Sequence, residues 1–166
     1  MVRYMPSGTC ESRRYFLLDD GLGFSFHWTR LYANAPNMLI HYKNHLEAVL
    51  CVSGACEVEE VSAGQREGDG IVHRIEAETA YALSQHERHY LRNPYDEPCD
   101  LICAFNPPCA GPEEQSPEGV FPVIGADGVA NYAGVTIEKY LGDGDANADD
   151  EVVNDLMREL SGIEDD

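Results

Sequence analysis

The sequence predicts an all-β sandwich or barrel followed by a short C-terminal helix. Short apolar segments alternate with turn residues through most of the chain, and no helical period appears before the C-terminus. The length of 166 residues fits one domain. A hydrophobic content of 43% is sufficient for a core. Many short strands separated by turns are typical of a sandwich or a barrel.

Eight segments have the composition of strands. Residues 24–32 alternate aromatic and small polar side chains, and residues 47–52 are nearly all apolar. Turn residues such as Ser53-Gly54 and Asn93-Pro94 separate the segments. In chain order, the predicted strands are 15–18, 24–32, 47–52, 56–61, 71–75, 81–83, 89–92 and 99–105.

The composition changes after Leu141. Residues 142–151 contain five acidic side chains together with Gly, Ala and Asn. The apolar residues that follow recur at helical spacing, namely Val152, Val153, Leu156, Met157 and Leu160. We therefore predict a β domain with an N-terminal strand over 1–141, and an acidic linker with a short amphipathic helix over 142–166.

The charge of the chain limits its partners. Thirty Asp and Glu residues against 11 Lys and Arg give a net charge of −19, which repels nucleic acids and anionic membranes alike. An acidic surface with only two lysines is typical of a protein kept soluble in concentrated salt. No segment is long and apolar enough for a membrane span or a signal peptide. We expect a cytoplasmic protein whose six cysteines are reduced.

Two clusters of His, Glu and Tyr could carry chemistry. Residues two apart on a strand point the same way, so His45 and Glu47 can project together into a barrel. Tyr81 and His89 form the second cluster, and together the two clusters could build a mixed nitrogen and oxygen site. Because a carboxylate is costly inside an apolar strand, Glu47 either faces solvent on an edge or is functional.

Three other histidines, His27, His73 and His86, stand alone in or near predicted strands. A lone strand histidine is usually an ordinary core or surface residue. The sequence leaves open whether any of the three contributes to the chemistry.

The spacing of the two clusters resembles a known superfamily. The patterns His-x3-His-x-Glu-x6-Gly, from His41 to Gly54, and His-x3-Asn, from His89 to Asn93, resemble the two cupin motifs. This resemblance implies a double-stranded β-helix, or jelly-roll barrel, over residues 1–141. Four stretches resemble the ectoine synthase family in their order and nearly in their spacing: GFSFHWTRLY, IHYKNHLEAVLCVSGACEVE, YALSQHERHYLR and FNPPCAGPE.

The ectoine synthase resemblance implies a metal-dependent hydro-lyase that closes N-γ-acetyl-L-2,4-diaminobutyrate to the cyclic amidine ectoine, a compatible solute. It implies a homodimer and a metal ion held by Glu47, Tyr81 and His89. Fe²⁺ is the expected ion, with Zn²⁺ or Mn²⁺ as alternatives. The implied catalytic residues are Thr29, Tyr42, His45 and Glu113, and the implied substrate contacts are Arg14, Thr29, Tyr42, Phe105 and Glu113.

The chain also departs from the family pattern. Cys10 and Gln115 stand where the family has Trp and His, and the segment around residues 64–70 is longer. These departures keep two alternatives open. One is a cupin metalloenzyme acting on a different N-acylated amino acid, and the other is a non-catalytic cupin that binds a solute.

Overall fold

The computed structural model describes residues 1–4, 8–125 and 127–133. These residues form β-strands and one 3-10 helical turn at Leu18–Asp20. No helix among them has the length and apolar character needed to cross a membrane. The predicted linker and helix over 142–166 lie outside the described residues.

The described strands form three antiparallel sheets. In chain order they are β1 (Val2–Tyr4), β2 (Cys10–Phe16), β3 (Ser25–Leu31), β4 (Ala35–His41), β5 (Leu46–Ser53), β6 (Ala55–Val61), β7 (Ile71–Glu76), β8 (Ala80–Leu83), β9 (Arg88–Asn93), β10 (Cys99–Asn106), β11 (Val123–Ile124) and β12 (Ala130–Asn131). A six-stranded sheet has the order β1-β2-β3-β10-β5-β8, and a four-stranded sheet has the order β4-β9-β6-β7. Strands β11 and β12 pair separately.

The core lies between the two larger sheets. Leu31 and Val49 come from the six-stranded sheet, and Ile40, Val58 and Leu91 come from the four-stranded sheet, in one cluster of buried side chains. Two sheets closed over a shared core form a jelly-roll barrel. The predicted all-β fold is confirmed for the described part of the chain.

Strand β5 shows how the sequence pattern directs side chains into the barrel. Glu47, Val49 and Cys51 are buried, whereas Ala48 and Leu50 between them are exposed. This alternation follows from the two-residue period of a strand. Because β5 lies between β10 and β8, the alternative that Glu47 faces solvent on an edge is wrong.

The largest errors of the strand prediction fall near the N-terminus. The predicted strand 15–18 is confirmed only for Tyr15 and Phe16, since β2 runs from Cys10 to Phe16 and is followed by the 3-10 turn. Strands β1 and β4 were not predicted. Strand β2 has the sequence CESRRYF and β4 contains Pro36 and Asn37, so neither displays the apolar alternation on which the prediction depended.

The longer segment near residues 64–70 is anchored to the outside of the four-stranded sheet by Glu59. This carboxylate is 0% exposed. Its Oε1 accepts hydrogen bonds from the backbone N–H groups of Gly68 at 2.6 Å and Gly70 at 3.0 Å, and its Oε2 accepts one from Arg92 at 2.9 Å. A Cβ atom on Gly70 would clash with the Glu60 carbonyl oxygen. The inserted segment is therefore built into the sheet by buried hydrogen bonds.

Replacing Glu59 should destabilise the barrel. Glu59→Ala leaves two backbone donors and one Arg92 donor without their acceptor, so we expect the free energy of unfolding to fall by about 2 kcal/mol. Urea unfolding measures this change. Glu60→Ala is the matched control, because Glu60 is the neighbouring exposed carboxylate, and its effect should stay within about 0.5 kcal/mol. Equal losses for the two variants would contradict this role of Glu59.

Candidate active site

A cavity between the two sheets collects most of the predicted site residues. Its lining is mixed, with charged and hydroxyl groups set among apolar and aromatic side chains. A pocket of this composition is suited to a small polar ligand. The predicted residues that line it are Arg14, Thr29, Tyr42, Glu47, Tyr81 and Phe105.

Strand register explains why these residues meet. Arg14, His27, Cys103, Val49 and Tyr81 are successive Cα partners across β2, β3, β10, β5 and β8. Residues paired in this way point to the same face of a sheet, which here is the barrel interior. The row therefore has a guanidinium at one end and a phenol at the other.

Glu47 lies in the next row and close to the phenol. Its strand partner on β8 is Leu83, while Tyr81 pairs with Val49, so Glu47 and Tyr81 are diagonal neighbours on one face. Such neighbours are about 7–8 Å apart at the backbone, within reach of long side chains. The predicted pairing of these two ligands is consistent with the register.

The Glu47 carboxyl group is in an unusual electrostatic environment. Burial raises its pKa from 4.5 to about 8, and a hydrogen bond with the Cys103 thiol lowers it only in part. A buried carboxyl group is stabilised as a carboxylate when a cation lies beside it. Glu47 is therefore suited to hold a positively charged group.

His89 presents a free lone pair. It is 1% exposed, and its Nδ1 lies 3.3 Å from the Glu87 carbonyl oxygen. Because a carbonyl oxygen only accepts, Nδ1 carries the hydrogen, and Nε2 has no hydrogen-bond partner. Burial lowers the pKa of His89 to about 4, so the ring is neutral near pH 7. This is the form of histidine that binds metals, with its second nitrogen oriented by a carbonyl.

The position of His89 differs from that of the other two predicted ligands. It comes from β9 in the four-stranded sheet, with its ring 6.1 Å from that of Tyr42. It lines a second cavity, which it shares with Tyr81, rather than the cavity that contains Glu47. The described residues contain no group of three His, Cys, Asp or Glu side chains that could hold a metal ion. The predicted metal ligands are not such a group, because only Glu47 and His89 are of these residue types and the third ligand is Tyr81.

Arg14 is held by the segment after β10. Its Nη1 donates to the Gly111 carbonyl oxygen and, at 3.0 Å, to Glu113 Oε2, while Nη2 donates to the Glu113 carbonyl oxygen at 3.2 Å. Its Nε is buried without a hydrogen-bond partner. The Nε–H group is therefore the donor of Arg14 that can bind a ligand carboxylate, and Nη2, which has a second N–H besides the one given to Glu113, can supply the other bond of such a pair.

Glu113 is already engaged by the protein. Its Oε1 accepts a hydrogen bond from the Ala110 backbone, and its Oε2 accepts bonds from Gly111 at 2.8 Å and from Arg14. It is 1% exposed and does not line the cavity with Arg14. Glu113 therefore contacts Arg14 from outside the cavity and is not one of the groups that line it.

His45 is also behind the cavity wall. Its Nδ1 lies 2.7 Å from the Pro107 carbonyl oxygen, so that Nε2 carries the lone pair, and Nε2 has no hydrogen-bond partner. Its ring packs edge-on against Phe105 and Phe121, which line the cavity. Burial lowers its pKa, while the Pro107 and Pro122 carbonyl oxygens beside the ring oppose that shift, so the ring is neutral near pH 7.

Tyr42 supplies a hydroxyl group to the cavity. Burial, together with the nearby Glu47, raises its pKa well above 10. Its ring packs edge-on against Phe105 and Phe121 at 5.4 and 5.3 Å. The phenol therefore stays protonated and can donate a hydrogen bond at neutral pH.

His27 lines the cavity but was left without a role by the sequence. It is buried, its Nε2 has no hydrogen-bond partner, and its ring lies 4.9 Å from that of Phe105. Strand alternation would have assigned His27 to the cavity, since it lies two residues before Thr29 on a predicted strand and so points to the same face. Two departures from the family pattern, Cys10 and Gln115, also line this cavity.

The burial of His27 should appear in the pH dependence of stability. Burial, with Arg14 and His45 nearby, lowers the pKa of His27 from 6.5 to about 3. Between these values the unfolded chain binds a proton that the folded chain does not, so this contribution to stability is present above pH 6.5 and is lost as the pH falls. His27→Gln should reduce the slope by up to about 1.4 kcal/mol per pH unit between about pH 3 and 6.5.

Urea unfolding of both proteins across that range measures the slope. His73→Gln, which removes an exposed histidine, is the comparison variant. A His27→Gln slope equal to that of the wild type would contradict the lowered pKa.

Comparison with known proteins identifies the family. The ectoine synthase family model matches residues 2–125. The L-ectoine synthase of Wolinella succinogenes is 45% identical over 120 residues, covering 72% of this chain and 85% of the relative. The L-ectoine synthase of Hahella chejuensis is 46% identical over 121 residues, covering 73% and 85%.

Solved structures agree with the sequence comparison. The crystal structure of ectoine synthase from P. lautus has a TM-score of 0.54 and 42% identity, covering 62% of this chain and 67% of that one. A cupin 2 conserved barrel protein from Salinispora arenicola has a TM-score of 0.50 at 18% identity, covering 63% and 80%, and shows the cupin fold alone. The chain therefore belongs to the ectoine synthase family.

Proposed function

We propose that this chain closes N-γ-acetyl-L-2,4-diaminobutyrate to ectoine with loss of water. The proposal is supported by the family and by one observation within the barrel. Arg14, whose Nε has no hydrogen-bond partner, lines one cavity with Glu47 and Tyr81, and the strand register puts Arg14 and Tyr81 at opposite ends of one row of side chains. A small molecule with a carboxylate at one end and an acetamide at the other matches that polarity.

Arg14 is the proposed anchor for the substrate carboxylate. Its Nε has no protein partner, and a guanidinium edge binds a carboxylate through two parallel hydrogen bonds. Glu113 and Gly111 occupy other donors of the same group and fix its orientation. These contacts support a positioning role for Glu113, and the catalytic and substrate-contact roles that the resemblance implied stay predictions.

The reaction joins two ends of one flexible molecule. The α-amino nitrogen forms a bond to the acetamide carbon, the carbon–oxygen bond breaks, and the oxygen leaves as water with two hydrogens given up by the nitrogens. Holding both ends in one cavity makes this ring closure a preorganised step. The protonated Tyr42 phenol can donate a hydrogen bond to the acetamide oxygen as charge develops there.

Thr29 and Phe105 complete the proposed substrate contacts. The Thr29 hydroxyl lies 3.9 Å from the Cys103 sulfur on the cavity side of β3. Phe105 contacts the rings of His27, Tyr42 and His45, so it forms an apolar wall. His45, which packs against Phe105 outside the cavity lining, stays the proposed proton acceptor and would reach the substrate through one bridging water.

Glu47, Tyr81 and His89 fit the metal that the family resemblance implies. Glu47 is a buried carboxyl group suited to a cation, and His89 has an unpartnered Nε2 of the ligating tautomer. We propose that these three residues hold Fe²⁺, with Zn²⁺ or Mn²⁺ as alternatives. When bound, such an ion supplies Lewis-acid polarisation of the acetamide oxygen.

The reaction and the metal site can be tested together. Protein purified without oxygen and loaded with Fe²⁺ should convert N-γ-acetyl-L-2,4-diaminobutyrate to ectoine, followed by NMR. Glu47→Ala and His89→Ala should reduce bound iron, measured by plasma mass spectrometry, by at least tenfold, together with turnover. Glu76→Ala removes an exposed carboxylate from β7 and should change neither.

The outcomes separate the alternative functions. Iron bound at one per chain without ectoine formation would move the search to other N-acylated amino acids. Tight ectoine binding without turnover at any metal loading would favour a solute-binding cupin. Normal turnover by iron-free Glu47→Ala protein would remove the metal from the mechanism.

We also propose that the chain is a homodimer that pairs through the outer face of the six-stranded sheet. Leu50 and Val52 are 42% and 46% exposed there, and a shallow apolar surface extends over small side chains of β5, β8 and β10. Two copies with a net charge of −19 each repel one another, and a face without charged side chains avoids the closest like-charge contacts. An uncharged apolar face is complementary to itself, as a two-fold interface requires. The small outward residues are Ala48, Ala80, Ala82 and Ala104.

A charge placed on this face should separate the subunits. Leu50→Glu should reduce the molar mass in sedimentation equilibrium from that of a dimer to that of a monomer, because the buried charge would lack a partner. Val72→Glu is the control, since Val72 is similarly exposed at 45% on β7 of the other sheet. A monomeric wild type, or a dimeric Leu50→Glu variant, would contradict this interface.

A cytoplasmic location completes the proposal. All six cysteines are free and buried. The sulfur atoms of Cys51 and Cys99 lie 3.6 Å apart without a bond between them. Reduced thiols support a reducing compartment.

A further inference from the structure

We propose that His27 is a further substrate-contact residue, whose Nε2 accepts a hydrogen bond from the α-amino group of the substrate. This inference rests on the proposed function and extends it to a residue that the family motifs did not single out. It identifies the group that orients the attacking nitrogen.

The structure separates His27 from the two other lone histidines. His73 is exposed on β7. His86 is engaged through its Nδ1, which lies 2.7 Å from the Tyr42 carbonyl oxygen. His27 is 3% exposed, and its buried Nε2 has no hydrogen-bond partner. Of the three, only His27 lines the cavity that contains Arg14 and Glu47.

The unpartnered Nε2 of His27 is suited to accept a hydrogen bond from a ligand. Most buried polar atoms in folded proteins are hydrogen-bonded, and leaving one unpaired destabilises the protein. Because the His27 ring borders a cavity, a ligand in that cavity can complete the hydrogen bond. The neighbouring Phe105 ring, 4.9 Å away between centroids, and the rest of the β-sheet hold the imidazole in place.

The register places His27 where an amino group is expected. His27 on β3 is the direct strand partner of Arg14 on β2, so their Cβ atoms are about 4.5–5.5 Å apart on one face. The substrate carries its carboxylate and its α-amino group on the same carbon atom. A carboxylate held by Arg14 therefore brings the amino group beside the adjacent side chain of the row.

The charge state of His27 fits an acceptor. Burial, the Arg14 guanidinium, His45 and the N-terminal amino group all disfavour the imidazolium form. A neutral imidazole with its hydrogen on Nδ1 offers a lone pair on Nε2. An imidazolium would instead repel both Arg14 and an amino group that still carries a proton. The neutral ring can therefore accept a hydrogen bond from the amino group, and it does not compete with Arg14 for the substrate carboxylate.

A pair of ligands tests this contact directly. 4-Acetamidobutyrate has the carboxylate, the chain and the acetamide of the substrate but lacks the α-amino group. In the iron-loaded enzyme, His27→Leu should lower kcat/KM for N-γ-acetyl-L-2,4-diaminobutyrate by about tenfold or more. The inhibition constant of 4-acetamidobutyrate should stay within about twofold, because that ligand makes no bond to His27.

Two further variants make the test specific. His27→Gln retains an acceptor at about the same reach and should recover most of the lost kcat/KM. His73→Leu removes an exposed histidine and should match the wild type with both ligands. Thermal unfolding in the presence of 4-acetamidobutyrate shows whether each variant is folded and still forms the cavity.

The results distinguish this inference from the proposed function. An equal loss for both ligands, or no loss in His27→Leu, would overturn the role of His27 while ectoine formation by the wild type still supports the reaction. If the wild type forms no ectoine, calorimetry with the two ligands still tests His27. In that case tighter binding of the amino compound by the wild type alone would support the contact, and equal binding in wild type and His27→Leu would reject it.

Discussion

The interior of this barrel contains more polar groups than the barrel itself can pair. Within the part of the chain that the structure describes, Arg14 Nε and the Nε2 atoms of His27, His45 and His89 are buried without hydrogen-bond partners. The Glu47 carboxyl group shares this interior, where burial disfavours its charged form. Such groups destabilise a folded protein unless something else completes them. The arrangement of the site follows from this constraint, because each unpaired atom is a group to which a ligand inside the barrel can bind.

Hydrogen bonds within the protein orient the unpaired side chains of the barrel interior. Carbonyl oxygens fix the tautomers of His45 and His89, and Glu113 fixes the guanidinium of Arg14. Each of these contacts uses one side of a functional group and leaves the other side open. The open sides then need no rearrangement when a ligand arrives, which is the structural basis of preorganisation. Glu113 is an example, since it holds the Arg14 guanidinium without lining the cavity itself.

The sequence predicted the parts of the fold that depend on apolar alternation. Strand β5 was predicted because residues 47–52 are nearly all apolar, whereas the inward position of Glu47, which the sequence left open, follows from the burial alternation in the structure. Most of strand β2 was missed because its inward positions include Ser12 and Arg14, so its pattern resembles that of a polar loop. The strands that carry polar groups into the cavity are the ones for which hydrophobic patterning is least informative.

The predicted site shows the same division between local and tertiary information. Two-residue spacing is local, and it grouped His45 with Glu47. Both side chains are buried, but only Glu47 lines the cavity. The engagement of Glu113 depends on a chain reversal that brings it to Arg14, 99 residues away, and no local pattern contains that contact. His27 was within reach of local reasoning, since alternation with Thr29 assigns it to the interior. What the sequence could not supply was the absence of a partner for its Nε2, which depends on all the surrounding strands.

The departures from the family pattern lie in two physically different places. The longer segment at residues 64–70 is bound to the outer surface through Glu59, where extra length is accommodated by added hydrogen bonds. Cys10 and Gln115 instead line the cavity, where a change of side chain alters volume and polarity beside the ligand. Substrate preference is set by the groups that line a pocket, since specificity is a difference between binding free energies. Any divergence of this chain in its choice of substrate should therefore originate at Cys10 and Gln115, while the longer segment affects the stability of the sheet that carries His89.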